Sequence, residues 1–125
     1  MVAEDAETIL LVENDALQRA TVARYLRECG YRVIEATNAS EARQALARFN
    51  IAIVVTDASL RDASGFELST LARQQRPGVR VFLTHSVEKT ARLAGELCED
   101  GPLDQPYHPQ HLVDRIKRMR GGRGS

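Results

Sequence analysis

Short β-branched apolar runs alternate with stretches of helical periodicity along most of the chain, the pattern of repeated strand–helix units on a parallel sheet. The first run, Thr-Ile-Leu-Leu-Val at 8–12, has no polar alternation, as expected of a strand covered on both faces. From Asp15 the pattern turns helical, with Val22, Leu26 and Cys29 on one face and Gly30 where a C-terminal cap belongs. Residues 31–35 read as a second strand. Asn38 with Glu41 three residues on is the signature of a helix N-cap and its reciprocal partner, and Ala42, Ala45, Leu46 and Phe49 form the predicted buried stripe. The run at 51–56, Ile-Ala-Ile-Val-Val-Thr, is the strongest strand signal and ends at Asp57.

A polar loop at 58–64 leads to Gly65 and a third helix carrying Phe66, Leu68 and Leu71, which stops before the turn signal Pro77-Gly78. Residues 79–83 read as strand four, 87–98 as helix four, and a weak fifth strand is expected around Leu103, before Pro106. Pro109 suits the first turn of a final helix with Leu112, Val113, Ile116 and Met119 on its apolar face. Right-handed crossovers put helices on both faces of such a sheet. The expected fold is α/β: a flavodoxin-like, doubly wound five-stranded parallel sheet of order 2-1-3-4-5 with five helices.

A length of 125 residues suits one domain, with a core over about residues 8–120 and a basic, Gly-rich tail at 121–125. Hydrophobic residues at 43% and charged residues at 27% fit a soluble globular domain rather than a disordered one. Seventeen Lys+Arg balance seventeen Asp+Glu, which excludes an overall field drawing the chain to nucleic acid or an anionic membrane. Residues 115–125, with Lys117 and four Arg among glycines, read as a solvated helix end and frayed tail or as a weak anion or nucleic-acid contact. Cys29 and Cys98 are far apart in sequence and each follows a helical pattern, so they are expected to be buried, reduced thiols of a cytosolic protein. The acidic N-terminus lacks the basic and apolar regions of a signal peptide, and no apolar run is long enough to span a bilayer; the expected location is cytoplasmic, with no membrane partner.

In a sheet of this order strands one and three are neighbours, and ligands bind in the crevice beyond their carboxyl ends. Glu13 and Asn14 follow the first strand and Asp57 the third. One Asp after a strand is an ordinary turn former, but three oxygen-bearing side chains at one end of a sheet suit a hard cation such as Mg²⁺. Thr84 at the end of strand four and Gln105 before Pro106 would supply hydroxyl and amide donors at the rim. The set suits metal-assisted phosphoryl transfer to a carboxylate, with Asp57 attacking in line. Flavin or dinucleotide binding would need a glycine- or hydroxyl-rich loop after strand one; here the loop is Glu13-Asn14-Asp15, whose carboxylates repel phosphate.

Ile-Leu-Leu-Val-Glu-Asn-Asp at 9–15, Val-Thr-Asp at 55–57, Ser-Gly-Phe-Glu-Leu at 64–68, Leu83-Thr84 and Gln105-Pro106 together resemble the receiver domain of two-component response regulators, over residues 9 to about 118. The resemblance implies that Asp57 is the phosphoacceptor, that Glu13 reaches the metal through water and that Ser59 offers it a backbone carbonyl. It implies that Thr84 hydrogen-bonds the phosphoryl group and shifts inward on phosphorylation. The side chains of Ser59 and Ser86 either border the attacking water or are ordinary loop serines. The implied phosphoryl donor is a histidine kinase or His-containing phosphotransfer protein. The implied protein is a stand-alone regulator without a DNA-binding domain, acting through protein–protein contact, with a homodimer as a family-level option; it is no enzyme beyond assisting its own phosphorylation and dephosphorylation.

The departures from the family pattern cluster at the site. Asn14 stands where the family has the Asp that ligates the metal, which weakens cation affinity while leaving an amide oxygen. Gln105 stands in place of the phosphoryl-pairing Lys; a charge-assisted hydrogen bond contributes roughly 1.5–3 kcal/mol and a neutral one about 0.5–1.5, so about 1 kcal/mol or more is lost. His85, beside Thr84, crowds phosphoryl entry, stays exposed, or adds a charge when protonated. Pro102 falls where the family has its inward-swinging aromatic, with Tyr107 only a packing residue, and Arg61 replaces the usual Pro of the phosphoacceptor loop. A pseudo-receiver, a binding module that works without phosphorylation, is therefore the second reading.

Overall fold

The apolar run at the start of the chain has no solvent side, and it occupies the middle of the sheet: from Ile9 to Val12 of β1 (Thr8–Val12) no residue exposes more than 2% of its surface. β1 pairs in parallel with β2 (Arg32–Ala36) and β3 (Ile53–Asp57), and β3 pairs with β4 (Arg80–Thr84), giving the order 2-1-3-4. This computed structural model describes residues 6–99, 101 and 109–124. The sheet has four strands among the described residues rather than five; the strand expected around Leu103 lies outside them, as do Pro102, Gln105, Pro106 and Tyr107.

Alternation along the strands splits the core in two. Ile9, Leu11, Val33, Ile53 and Val55 meet α1 (Ala16–Glu28), α4 (Val87–Glu99) and α5 (Pro109–Gly124). Leu10, Val12, Ala36 and Val54 meet α2 (Ala39–Arg48) and α3 (Gly65–Gln75). Asn38 caps α2 as the sequence signals, accepting the Glu41 N–H at 2.9 Å, and Asp15 and Ser64 cap α1 and α3, accepting the Gln18 N–H at 2.8 Å and the Glu67 N–H at 3.1 Å. The Glu41 carboxylate accepts from the Thr37 amide and hydroxyl rather than from Asn38, and the Thr37 N–H holds it below the usual carboxylate range. Gly30 follows α1 at φ 101°, a conformation that favours glycine.

Two large aromatics are at the surface, one of them, Phe49, expected in the buried stripe of α2. Phe49 is 46% exposed because it is the extended C-cap of α2, where helical periodicity no longer applies. Phe66 is 66% exposed because the period that buries Leu68 and Ala72 turns position 66 outward. α5 buries Leu112, Val113 and Ile116 as expected and continues through Gly124, into the residues read as a tail. No helix is long and apolar enough to cross a membrane among the described residues.

α4 does not join α2 and α3 on their face of the sheet. A right-handed crossover from β4 to a fifth strand beyond it would put α4 on the face of α2 and α3. It packs instead beside α1 and α5, burying Thr90, Ala91, Ala94, Leu97 and Cys98 there. Lys117 of α5 pairs with Glu88 of α4 and holds its carboxyl below the usual range. The Tyr31 hydroxyl donates to the Leu97 carbonyl at 2.6 Å. Cys29 and Cys98, expected as separate reduced thiols, form a disulfide with their Cα atoms 5.4 Å apart. A sequence separation of 69 concealed the pairing, because only the docking of α4 on the end of α1 brings the two together.

Closing so long a loop removes much chain entropy from the unfolded state. Cys29→Ala/Cys98→Ala, or reduction of the native chain, should lower unfolding stability by about 2–5 kcal/mol, measured by urea titration with and without reductant. A thiol count of one or more in the denatured, unreduced protein contradicts the cross-link.

Candidate functional site

The carboxyl ends of β1, β3 and β4 meet at one edge of the sheet. Asp57 closes β3 and stands opposite Thr84, the last residue of β4, and the Ala58 N–H donates to the Thr84 carbonyl at 2.9 Å. Glu13 follows β1, its N–H bonded to the Ala36 carbonyl of β2 at 3.0 Å. A cleft of about 200 Å³ opens between Glu13, Gln18, Asp57, Thr84, His85 and Thr90. A larger concavity of about 620 Å³ lies at the opposite, amino-terminal end of the strands, around Glu7, Arg32 and Phe49. It holds none of the predicted site residues, so the smaller cleft is the candidate site.

Asp57 is half-buried, and its Oδ1 accepts the Ser59 N–H at 3.0 Å. Glu13 is buried and has both carboxylate oxygens engaged: Oε2 by the Asp15 N–H at 2.9 Å and Oε1 by Gln18 Nε2 at 3.1 Å. Its backbone carbonyl accepts from Arg19 Nη1 at 2.8 Å, and Arg19 also pairs with Glu35. Thr84 is buried with its Oγ1 2.9 Å from Thr90 Oγ1. Asn14 and Ser59 are exposed at the mouth, as are His85 and Ser86. Of the sequence-predicted residues, Glu13, Asp57 and Thr84 line the cleft, Asn14 and Ser59 adjoin it, and Gln105 lies outside the described residues.

The donors that could face a cation are all oxygens, the kind a hard divalent ion takes. Among the described residues no group of three or more Asp, Glu, His or Cys side chains that could hold a metal ion gathers, and the carboxylates lining the cleft are Glu13 and Asp57. Gln18 and Thr90 were missed by sequence reasoning. Both are polar residues at buried helix positions: Gln18 is buried in the first turn of α1, and Thr90 heads the buried positions of α4. A polar residue at a stripe position was the available signal.

The sequence model for the response regulator receiver domain matches residues 9–117. The chain belongs to this family. It is 32% identical to the transcriptional regulatory protein GltR of Pseudomonas aeruginosa over 119 residues, 92% of this chain and 49% of that protein. It is 30% identical to the aerobic respiration control protein ArcA of Escherichia coli K12 over 112 residues, 89% of this chain and 47% of that protein. The chain thus spans about half the length of these curated relatives. Among solved structures, the non-phosphorylated HemR receiver domain from Leptospira biflexa is 26% identical with a TM-score of 0.61, over 90% of this chain and 92% of that one. Receiver domains work in two-component signalling as phosphoacceptors.

The loop after Asp57 is anchored at both ends of its course. A Cβ at Gly65 would lie 2.6 Å from the Leu83 side chain and 2.7 Å from the Asp57 carbonyl, so only glycine lets α3 start against the site. Asp62 reaches the start of α2, accepting the N–H groups of Ala39 at 2.9 Å and Ser40 at 3.0 Å. The Ala39 amide foremost, then that of Ser40, holds its carboxyl below the usual value of 3.8. A carboxyl lowered in the folded state stabilises above its unfolded pKa and loses that effect as pH falls through the folded one. Asp62→Ala should therefore cost a constant increment at neutral pH that shrinks below pH 3.8, read by denaturant titration of both proteins.

Proposed function

We propose that this receiver accepts a phosphoryl group on Asp57 from a histidine kinase or His-containing phosphotransfer protein and signals through protein–protein contact. The observation that carries the reading is the pairing of Asp57 with Thr84 at adjacent strand ends, with the Glu13 carboxylate on the same cleft. Ser59 N–H holds Asp57 Oδ1, which leaves Oδ2 as the oxygen that attacks phosphorus while the P–N bond to the donor imidazole breaks. Thr84 then donates its hydroxyl proton to a phosphoryl oxygen, and Gln105 adds a neutral amide where the family carries a Lys. Glu13, Asn14, Asp57 and the Ser59 carbonyl would hold Mg²⁺, whose charge offsets that of the entering phosphoryl oxygens. The lost acidic ligand at Asn14 and the amide on Glu13 make that affinity weaker than two free acids and an Asp would give.

A second reading, a module that binds its partner without phosphorylation, is favoured by the engagement of both Glu13 oxygens. Intact mass after incubation with acetyl phosphate, with and without Mg²⁺, tests the first. The expected result is a Mg²⁺-dependent adduct lost in Asp57→Asn; its absence, with candidate kinases failing as well, leaves the second. Under the first reading Asn14→Asp/Gln105→Lys raises adduct yield only modestly, and under the second that change creates it.

A further inference from the structure

Thr84 lies two residues beyond Phe82 on β4, so alternation sends its side chain to the sheet face where Phe82 joins the core of α1, α4 and α5. There it meets Thr90. Both residues are buried, at 6% and 4% exposure, and their hydroxyl oxygens are 2.9 Å apart. Thr90 Oγ1 is also 2.9 Å from the Ser86 carbonyl, which already accepts the Thr90 N–H at 3.0 Å.

A hydroxyl carries one proton and two lone pairs, so Thr90 has two arrangements. Donating to Ser86, it receives the Thr84 proton. Donating to Thr84, it leaves the Thr84 proton free to point into the cleft. The Ser86 carbonyl keeps the Thr90 amide in both, so the exchange strands no buried acceptor, and no covalent bond changes. An anion arriving on Asp57 favours the second arrangement, because it accepts the proton that Thr84 then offers.

We infer that Thr90 is the positioning residue through which Thr84 transmits the occupancy of Asp57 to the first turn of α4. The inference rests on Asp57 being the phosphoacceptor, and it gives the site an internal link to α4 that runs through two hydroxyls alone. Because α4 is fastened at its far end by the disulfide to Cys29 and by Tyr31, a change at Thr90 acts on the amino-terminal half of the helix.

The test is hydrogen exchange of the α4 amides in the full chain, with and without acetyl phosphate and Mg²⁺, with adduct stoichiometry read by mass in the same samples. In the wild type the first turn of α4 changes its exchange on phosphorylation. Thr90→Val should form the adduct but cut that change about fivefold, the scale of one neutral hydrogen bond, and Thr90→Ser should restore it. Thr84→Val removes the other half of the pair and should give the same loss, which keeps the assignment testable if either valine variant fails to fold. A full wild-type response in Thr90→Val, or failure of Thr90→Ser to restore it, overturns the role of Thr90 while leaving the phosphoacceptor reading intact. A wild type that takes no adduct overturns both.

Discussion

The pairing of β3 with β4 and of β1 with β3 is the constraint on which the site depends. Parallel strands all deliver their carboxyl ends to the same edge, and the register sets which side chains stand there together. Asp57 is level with Thr84, and Val12, the residue before Glu13, is one bonded pair away through Thr56. Because strand side chains alternate faces, a one-residue slip of β3 would drive the Asp57 carboxylate into the apolar layer and bring Thr56 out in its place. Ile53, Val54 and Val55 before it are buried on both faces of the strand. The register of the strand ladder thus sets which side chains stand together at the edge.

Around that edge amide groups engage the acidic side chains. At Glu13 the Asp15 amide and the Gln18 side chain hold the carboxylate oxygens. Asn14 and Gln105 extend the same substitution of amide for charge in the sequence. The loop after Asp57 is fixed by backbone donors as well, through Asp62 on the start of α2 and the close approach at Gly65.

The placement of α4 gives the domain its individual character. Three helices share one face and two the other, and α4 is joined to α1 by packing, by Tyr31 and by a covalent bond. That position is also what brings Thr90 against Thr84. The same docking therefore serves the core at one end of the helix and the site at the other.

Much of this was legible in the sequence. The doubly covered run at 8–12, the caps at Asp15, Asn38 and Ser64 and the carboxylates after β1 and β3 are local features, determined by a few consecutive side chains and their preferred backbone geometry. They determined the element order, the family and the set of residues at the carboxyl edge. Phe49 was misassigned because periodicity counts apolar residues without knowing where a helix stops. The disulfide, the face chosen by α4, the grip of Gln18 on Glu13 and the Thr84–Thr90 contact were decided only by tertiary structure. Each joins groups on separate elements through side-chain packing, and sequence spacing carries no information about a distance that exists only once those elements have docked.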